Sequence, residues 1–155
     1  MIADAFRRWK HARRISRAEA EIMARDISAR PHGLPSDLVV SLTSYPARYE
    51  YLHLVLRSLL SQSLRADRVI LWLTGADAAS LPDNARLPGL EIRICPDWRS
   101  YKKIVPSLIE APDAHIVTAD DDVYYGADWL ERLVAQAGAG VAAHRAHRVT
   151  LSGDR

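Results

Sequence analysis

Four short, largely apolar runs constrain the fold of this chain more than any other feature. They lie at residues 38–42, 69–73, 91–95 and 115–118. Segments with helical periodicity separate them, and runs that are apolar throughout are typical of strands buried on both faces. The alternation of such strands with helices favours a mainly parallel sheet. The sequence therefore predicts an α/β domain with helices on both faces of the sheet.

Weaker local signals fill in the segments between and after these runs. Residues 74–89 contain Gly75, Pro82 and Pro88, which predict a long irregular surface connection. Asp128 and Glu131 have the spacing of a capping box for a helix over residues 129–137. Residues 141–147 are predicted to begin a further strand.

Polar segments follow three of the four predicted strands. They are residues 43–48, 97–103 and 120–122. Right-handed crossovers bring the carboxyl ends of parallel strands to one edge of the sheet, so we expect the three segments to line that edge. Hydroxyls, an arginine, lysines and carboxylates in one crevice suit a phosphorylated ligand, with a cation bridging carboxylate and phosphate.

Three consecutive carboxylates, Asp120, Asp121 and Asp122, follow the fourth run. They repel one another unless they are solvated or hold a cation, and Mg²⁺ and Mn²⁺ prefer oxygen ligands. If the segment is extended, Asp120 and Asp122 point the same way and can share one ion, whereas Asp121 points the opposite way. The alternative is a solvated acidic turn ahead of the next helix.

The N-terminal part of the chain is basic. Residues 1–31 carry eight Lys and Arg against four Asp and Glu, although the net charge of the whole chain is only +2. Apolar residues recur every three or four positions over residues 2–29, which predicts an amphipathic helix. We expect helix and linker over residues 1–33 and the α/β domain over residues 34–155. Such a helix suits peripheral contact of residues 1–30 with an anionic membrane; the alternative is a helix docked on the domain or on a partner helix.

Composition excludes several classes of protein. Residues 32–155 carry thirteen basic and fifteen acidic side chains, so we predict no nucleic-acid binding. Cys95 is the only cysteine, which excludes an intrachain disulfide and a cysteine-rich metal site. No apolar run approaches the ~20 residues that cross a bilayer, and no signal peptide is recognisable. We therefore expect a cytoplasmic protein, peripheral at most to the inner face of the membrane.

In this order, the motifs resemble those of nucleotide-sugar-dependent glycosyltransferases of the GT-A fold, and within them bacterial enzymes of cell-surface polysaccharide assembly. The matching stretches are residues 39–48, 56–62, 67–73, 100–103, 118–125, 128–130 and 144–147. The resemblance covers about residues 37–148. It implies a Rossmann-like nucleotide-binding half and the transfer of a sugar from a nucleotide-sugar donor to a glycan or lipid-linked acceptor, in polysaccharide or glycolipid assembly.

The resemblance also implies roles for individual residues. Asp120 and Asp122 match the family's Asp-x-Asp (DXD) metal site, which holds Mn²⁺ or Mg²⁺, with Asp121 beside it for the ribose or the metal. The other implied donor-binding residues are Thr43, Ser44, Tyr45, Arg48, Asp97 and Lys103, with Lys102 beside them. Structural alternatives remain: Thr43 and Ser44 as helix caps, Arg48 and Lys102 as solvated charges.

Enzymes of this family need a second half that binds the acceptor and, in inverting members, supplies an Asp or Glu general base. Only seven residues follow Arg148, so we expect that half to be absent and name no catalytic base. Two alternative functions are a Mg²⁺-dependent phosphoryl or nucleotidyl transferase and an inactive sugar-nucleotide-binding module. The absence of a G-x-x-x-x-G-K-[ST] loop disfavours a nucleoside triphosphatase.

Overall fold

The structure, a computed structural model, describes residues 2–25, 29–138 and 140–144. Its sheet has four parallel strands, β1 (Leu38–Thr43), β2 (Arg68–Leu73), β3 (Leu90–Ile94) and β4 (His115–Thr118). Their order across the sheet is β3-β2-β1-β4. The predicted α/β class with a parallel sheet is confirmed, and each strand lies within one residue of its predicted bounds.

Five helices accompany the strands in the described part of the chain: α1 (Ile2–Ala24), α2 (Leu52–Leu60), α3 (Gly75–Ala79), α4 (Val105–Glu110) and α5 (Trp129–Val134). Short 3₁₀ turns lie at Pro46–Arg48, Asp83–Ala85 and Arg99–Lys103. Near the end of α1, Ile22 is buried and the carbonyl of Met23 accepts a hydrogen bond from Arg57. The amphipathic character of this helix and the division at residue 33 stay predictions. None of the helices described is both long enough and apolar enough to cross a bilayer.

The two faces of the sheet are covered differently. On one face, the apolar residues of α2 pack in one core with alternate residues of β1, namely Leu38, Val40 and Leu42. On the other face, Val39, Ile70 and Trp72 form a second cluster under α4. There Ser107 of α4 accepts a hydrogen bond from Trp72 Nε1 (2.8 Å) and pairs with Ser41 Oγ (2.8 Å). Helices therefore lie on both faces of the sheet, and α4 is held on its face by hydrogen bonds of the Ser107 hydroxyl.

Three local predictions were wrong. Residues 74–89 contain α3, which begins where Thr74 Oγ1 accepts a hydrogen bond from Asp77 N (3.1 Å). Asp128 makes no side-chain cap, since its carboxylate pairs with Arg132 (2.6 Å) and Ser63 donates to Glu131. Residues 141–144 form no strand, and residues 145–147 lie outside the described part.

Tyr49 joins the segment after β1 to α3. Its hydroxyl donates to the carbonyl of Asp77 (2.9 Å), and burial, with Asp77 nearby, raises the pKa of Tyr49 to about 12. In the unfolded chain the phenol ionises near pH 10. Between pH 10 and 12 the hydroxyl is therefore ionised in the unfolded chain but still protonated in the folded one, so the free energy of unfolding falls as the pH rises through this range.

We expect Tyr49→Phe to flatten this alkaline loss by up to about 1.4 kcal/mol per pH unit, the slope of one proton. Urea unfolding at several pH values between 10 and 12 measures it. Tyr101→Phe, at a side chain 67% exposed, is the matched control and should leave the slope unchanged. Equal slopes in the wild type and Tyr49→Phe would contradict the assignment.

The order of the strands creates a crevice. The chain steps from β1 to β2 to β3 in one direction and then returns to place β4 on the opposite side of β1. At this reversal, between β1 and β4, the β1-to-β2 crossover carries α2 on one face and the β3-to-β4 crossover carries α4 on the other. Open α/β sheets bind ligands at such a place. Ala119 N donates to the carbonyl of Ser41 (2.9 Å), so the three aspartates emerge directly beside the loop that leaves β1.

Candidate functional site

The loop after β1 contacts two of the three aspartates. Ser44, which is 2% exposed, donates from Oγ to Asp121 Oδ2 (2.6 Å). Arg48 Nη1 lies 2.6 Å from Asp122 Oδ2. Pro46 begins the 3₁₀ turn that carries Arg48, and its fixed φ suits the first position of such a turn. The loop therefore presents a hydroxyl and a guanidinium to the aspartates.

The third aspartate is held by the segment after β3. Lys103, at the end of the turn Arg99–Lys103, places Nζ 2.6 Å from Asp120 Oδ1. The three polar segments that the sequence predicts at one edge therefore meet there, joined by Ser44–Asp121, Arg48–Asp122 and Lys103–Asp120 contacts.

The alternation predicted for Asp120, Asp121 and Asp122 was wrong. β4 ends at Thr118, and Asp121 and Asp122 lie in a turn rather than in an extended strand. Asp121 and Asp122 consequently both reach the loop after β1 instead of pointing to opposite sides. A turn at this place gives all three carboxylates access to one crevice.

The remaining predicted residues lie nearby with other partners. Thr43 Oγ1 donates to the carbonyl of Trp72 (2.7 Å), and Tyr45, 49% exposed, accepts from Arg48 Nε (3.3 Å). Asp97 Oδ1 accepts from Arg99 N (3.1 Å) and lies 3.8 Å from Lys102 Nζ. No hydrogen bond described here joins Thr43 or Asp97 to the aspartates.

Lys102 is not a solvated surface charge. Its side chain is 6% exposed and its Nζ lies 3.5 Å from Asp77 Oδ2, on the segment that follows β2. A buried ammonium needs such a partner. The two adjacent lysines therefore have different partners. Lys102 is buried and pairs with Asp77 of the segment after β2, whereas the half-buried Lys103 pairs with Asp120.

Sequence reasoning assigned no role to Tyr125, which shapes the aspartate turn. Its hydroxyl accepts from Asp120 N (2.7 Å), and its ring packs on Trp129 with centroids 4.3 Å apart. Burial raises the pKa of Tyr125 to about 12, with the neighbouring aspartates adding to the effect. The available signal was an aromatic residue three positions after the last aspartate, which pattern alone does not distinguish from a core residue.

Gln62 anchors the chain that follows the aspartates. It is 3% exposed, and its Nε2 donates to the carbonyls of Ser58 (2.7 Å) and Gly126 (2.9 Å) while its Oε1 accepts from Leu130 N (2.9 Å). These bonds tie the end of α2 to the start of α5. The turn between β4 and α5 is thus held at its α5 end by Gln62 of the core.

The oxygen donors of this crevice are of the kind that a hard divalent cation prefers. Among the described residues, no group of three or more Asp, Glu, His or Cys side chains is placed to hold a metal ion. The three carboxylates are turned to Lys103, Ser44 and Arg48. Mg²⁺, however, is commonly bound by one or two carboxylates together with substrate phosphates and water. Asp120 and Asp122 meet that smaller requirement by their chemistry.

Comparisons with known proteins give no further information about this site, because no family model, curated protein or solved structure matches the chain.

Proposed function

We propose that the crevice between β1 and β4 binds the diphosphate of a nucleotide-sugar donor together with Mn²⁺ or Mg²⁺. The chain would then be the donor-binding half of a metal-dependent glycosyltransferase of the GT-A fold. One observation carries the proposal: Ser44, Arg48 and Lys103 each contact a different member of Asp120–Asp122 at the reversal of strand order. That place is where open α/β sheets bind nucleotides.

The charges of the crevice support an anionic ligand with a metal ion. Three carboxylates and the two cations Arg48 and Lys103 leave one net negative charge. This arrangement alone repels a diphosphate, but one divalent ion would reverse the sign. Arg48 is held protonated, since hydrogen bonds to Tyr45 and then Asp122 raise its pKa further above its ordinary value. The crevice therefore favours a metal diphosphate over a free one.

The same residues suit glycosyl transfer. The bond between the anomeric carbon and the diphosphate oxygen breaks, and negative charge accumulates on the departing nucleoside diphosphate. A divalent ion held by Asp120 and Asp122 would neutralise part of that charge. Arg48 offers a planar pair of donors to phosphate oxygens, Lys103 offers a compact positive charge, and Ser44 a hydroxyl. Groups placed before the reaction stabilise the developing charge without reorganisation.

Calorimetry with the full chain tests the proposal. We expect nucleoside diphosphates and their sugar conjugates to bind in the presence of Mn²⁺, and EDTA to weaken the binding by at least about tenfold, as expected where the ion bridges protein and phosphate. Nucleoside triphosphates are the comparison ligands. Tight binding of triphosphates alone would favour a nucleotidyl or phosphoryl transferase, and equal affinity with EDTA would contradict the metal.

Turnover separates an enzyme from a binding module. The chain is incubated with the donor and a mixture of acceptors, and the products are separated by chromatography. Free nucleoside diphosphate together with a glycosylated acceptor indicates transfer. Binding without release would indicate a sugar-nucleotide-binding module.

A further inference from the structure

Strand β3, at the open edge of the sheet, carries one acidic and one basic residue that can pair with the same two residues of a second copy. β3 pairs with β2 on one side only, and Ile94 is 59% exposed. Side chains alternate along a strand, so Glu91 and Arg93 share one face while Leu90, Ile92 and Ile94 share the other. An unpaired edge strand is a template for another strand. The sequence of this edge determines which strand fits.

The backbone N–H and C=O groups of Ile92 point away from the neighbouring strand β2. Cys95 N donates to the carbonyl of Leu73 (2.9 Å), and successive residues of a strand turn their N–H and C=O groups to opposite sides. The backbone N–H and C=O groups of Glu91 and Arg93 therefore point toward β2, whereas those of Ile92 and Ile94 point outward. No residue in the described part of the chain bonds to the outward groups of Ile92 and Ile94.

We propose that two copies of this chain pair through β3 in antiparallel orientation, about a two-fold axis at Ile92. The four-stranded sheets then join into one continuous sheet. Ile92 faces Ile92 of the second copy as a hydrogen-bonded pair, and Glu91 faces Arg93 of the second copy as a non-hydrogen-bonded pair, in which side chains lie closest. Opposite charges directly across an antiparallel pair stabilise it.

The charges select this register against its neighbours. A shift by two residues one way places Glu91 opposite Glu91, and a shift the other way places Arg93 opposite Arg93. Like charges directly opposite are destabilising. Glu91 is also preorganised: Arg68 donates to both of its carboxylate oxygens (2.8 and 2.7 Å), and Arg93 of the same chain donates to Oε2 (3.0 Å). The pair across the two-fold axis therefore joins this existing ion-pair network to that of the second copy.

The end of helix α4 reaches the same edge of the sheet, since Glu110 lies 3.6 Å from Arg93. A two-fold axis perpendicular to the sheet places both α4 helices on one face. The strand contact alone is below the ~1,200 Å² of a stable interface, so we expect a weak dimer that dissociates on dilution. The crevice at β1 and β4 lies two strands away and stays open.

Sedimentation equilibrium of the full chain, at several concentrations, tests the dimer. We expect a limiting mass of twice 17.3 kDa. Arg93→Glu and Glu91→Arg each place like charges opposite at both symmetry-related positions, and each should raise the dimer dissociation constant at least about tenfold. Mixed in equal amounts, the two variants should restore the dimer, since every charged pair across the mixed edge is then opposite in sign.

The controls separate the interface from folding. Arg132→Glu, the same reversal on α5, should leave the dissociation constant unchanged. Each variant must melt cooperatively; if Glu91→Arg does not, Ile94→Pro replaces it, because a proline is tolerated where the N–H faces outward and removes intermolecular bonds. A wild-type chain that sediments as a monomer throughout, a dimer indifferent to Arg93→Glu, or a mixture of folded variants that stays monomeric would overturn the proposal.

Discussion

Asp122→Ala is expected to remove the Mn²⁺-dependent part of nucleotide-sugar binding. If Asp120 and Asp122 are the protein ligands of the ion, the variant loses one of two, and we expect the affinity for a donor in Mn²⁺ to fall by at least about a hundredfold. The substitution also frees Arg48, whose Nη1 lies 2.6 Å from Asp122 Oδ2. Calorimetry with and without Mn²⁺ separates the two effects, because a free arginine strengthens metal-independent phosphate binding.

Two further variants sharpen this experiment. Asp122→Asn keeps the size and one oxygen of the side chain but removes its charge, so a similar loss assigns the effect to charge. Asp113→Ala removes an exposed carboxylate from the turn before β4, at the amino end of the strand and so at the end of the sheet away from the aspartates, and should bind the donor like the wild type. Unchanged Mn²⁺-dependent affinity in Asp122→Ala would exclude Asp122 as a metal ligand.

Gln62→Leu is expected to give the largest loss of stability at a single polar residue. The variant keeps the volume of the side chain but leaves Leu130 N and the carbonyl of Ser58 without the partners described here, whereas the carbonyl of Gly126 keeps Trp129 N as a donor (3.1 Å). Buried groups left unpaired cost about 1–3 kcal/mol each, so we expect the free energy of unfolding to fall by about 3 kcal/mol. Urea unfolding measures this, with Gln136→Leu, at an exposed glutamine, as the matched control.

A loss in Gln62→Leu no larger than that in Gln136→Leu would show that water replaces the missing bonds. Donor affinity gives a second measurement on the same variant. Because Gln62 fixes the chain after Asp122, we expect weaker donor binding even at temperatures where the variant is fully folded.

β1 and β2 could be located from sequence because each is an apolar run buried on both faces, and burial is the strongest signal that a sequence carries. β3 and β4 lie at the two sides of the sheet and are only partly buried or exposed, so their prediction depended on their shorter apolar patterns. The meeting of residues 43–48, 97–103 and 120–122 followed from parallel strands alone. The order of the strands did not, because nothing local places β4 beside β1 rather than beside β3. That order decides which two connections border the crevice.

Side-chain partners were the part that sequence could not supply. Alternation failed at Asp121 because β4 ends at Thr118 and the chain turns. Burial of Lys102 depends on Asp77, a residue 25 positions away on a segment that was expected to be irregular. Such contacts depend on distances between elements, which periodicity does not encode.

The ion pairs at Asp120 and Asp122 have a consequence for the ligand-free protein. Three adjacent carboxylates repel one another and normally lower stability. Here Lys103 and Arg48 act as resident counter-ions. Pairs this exposed are individually weak, so under the proposed function a phosphate group could exchange for a carboxylate at small cost. In the ligand-free protein, Lys103 and Arg48 would thus offset part of the repulsion among the aspartates and still be available to such a ligand.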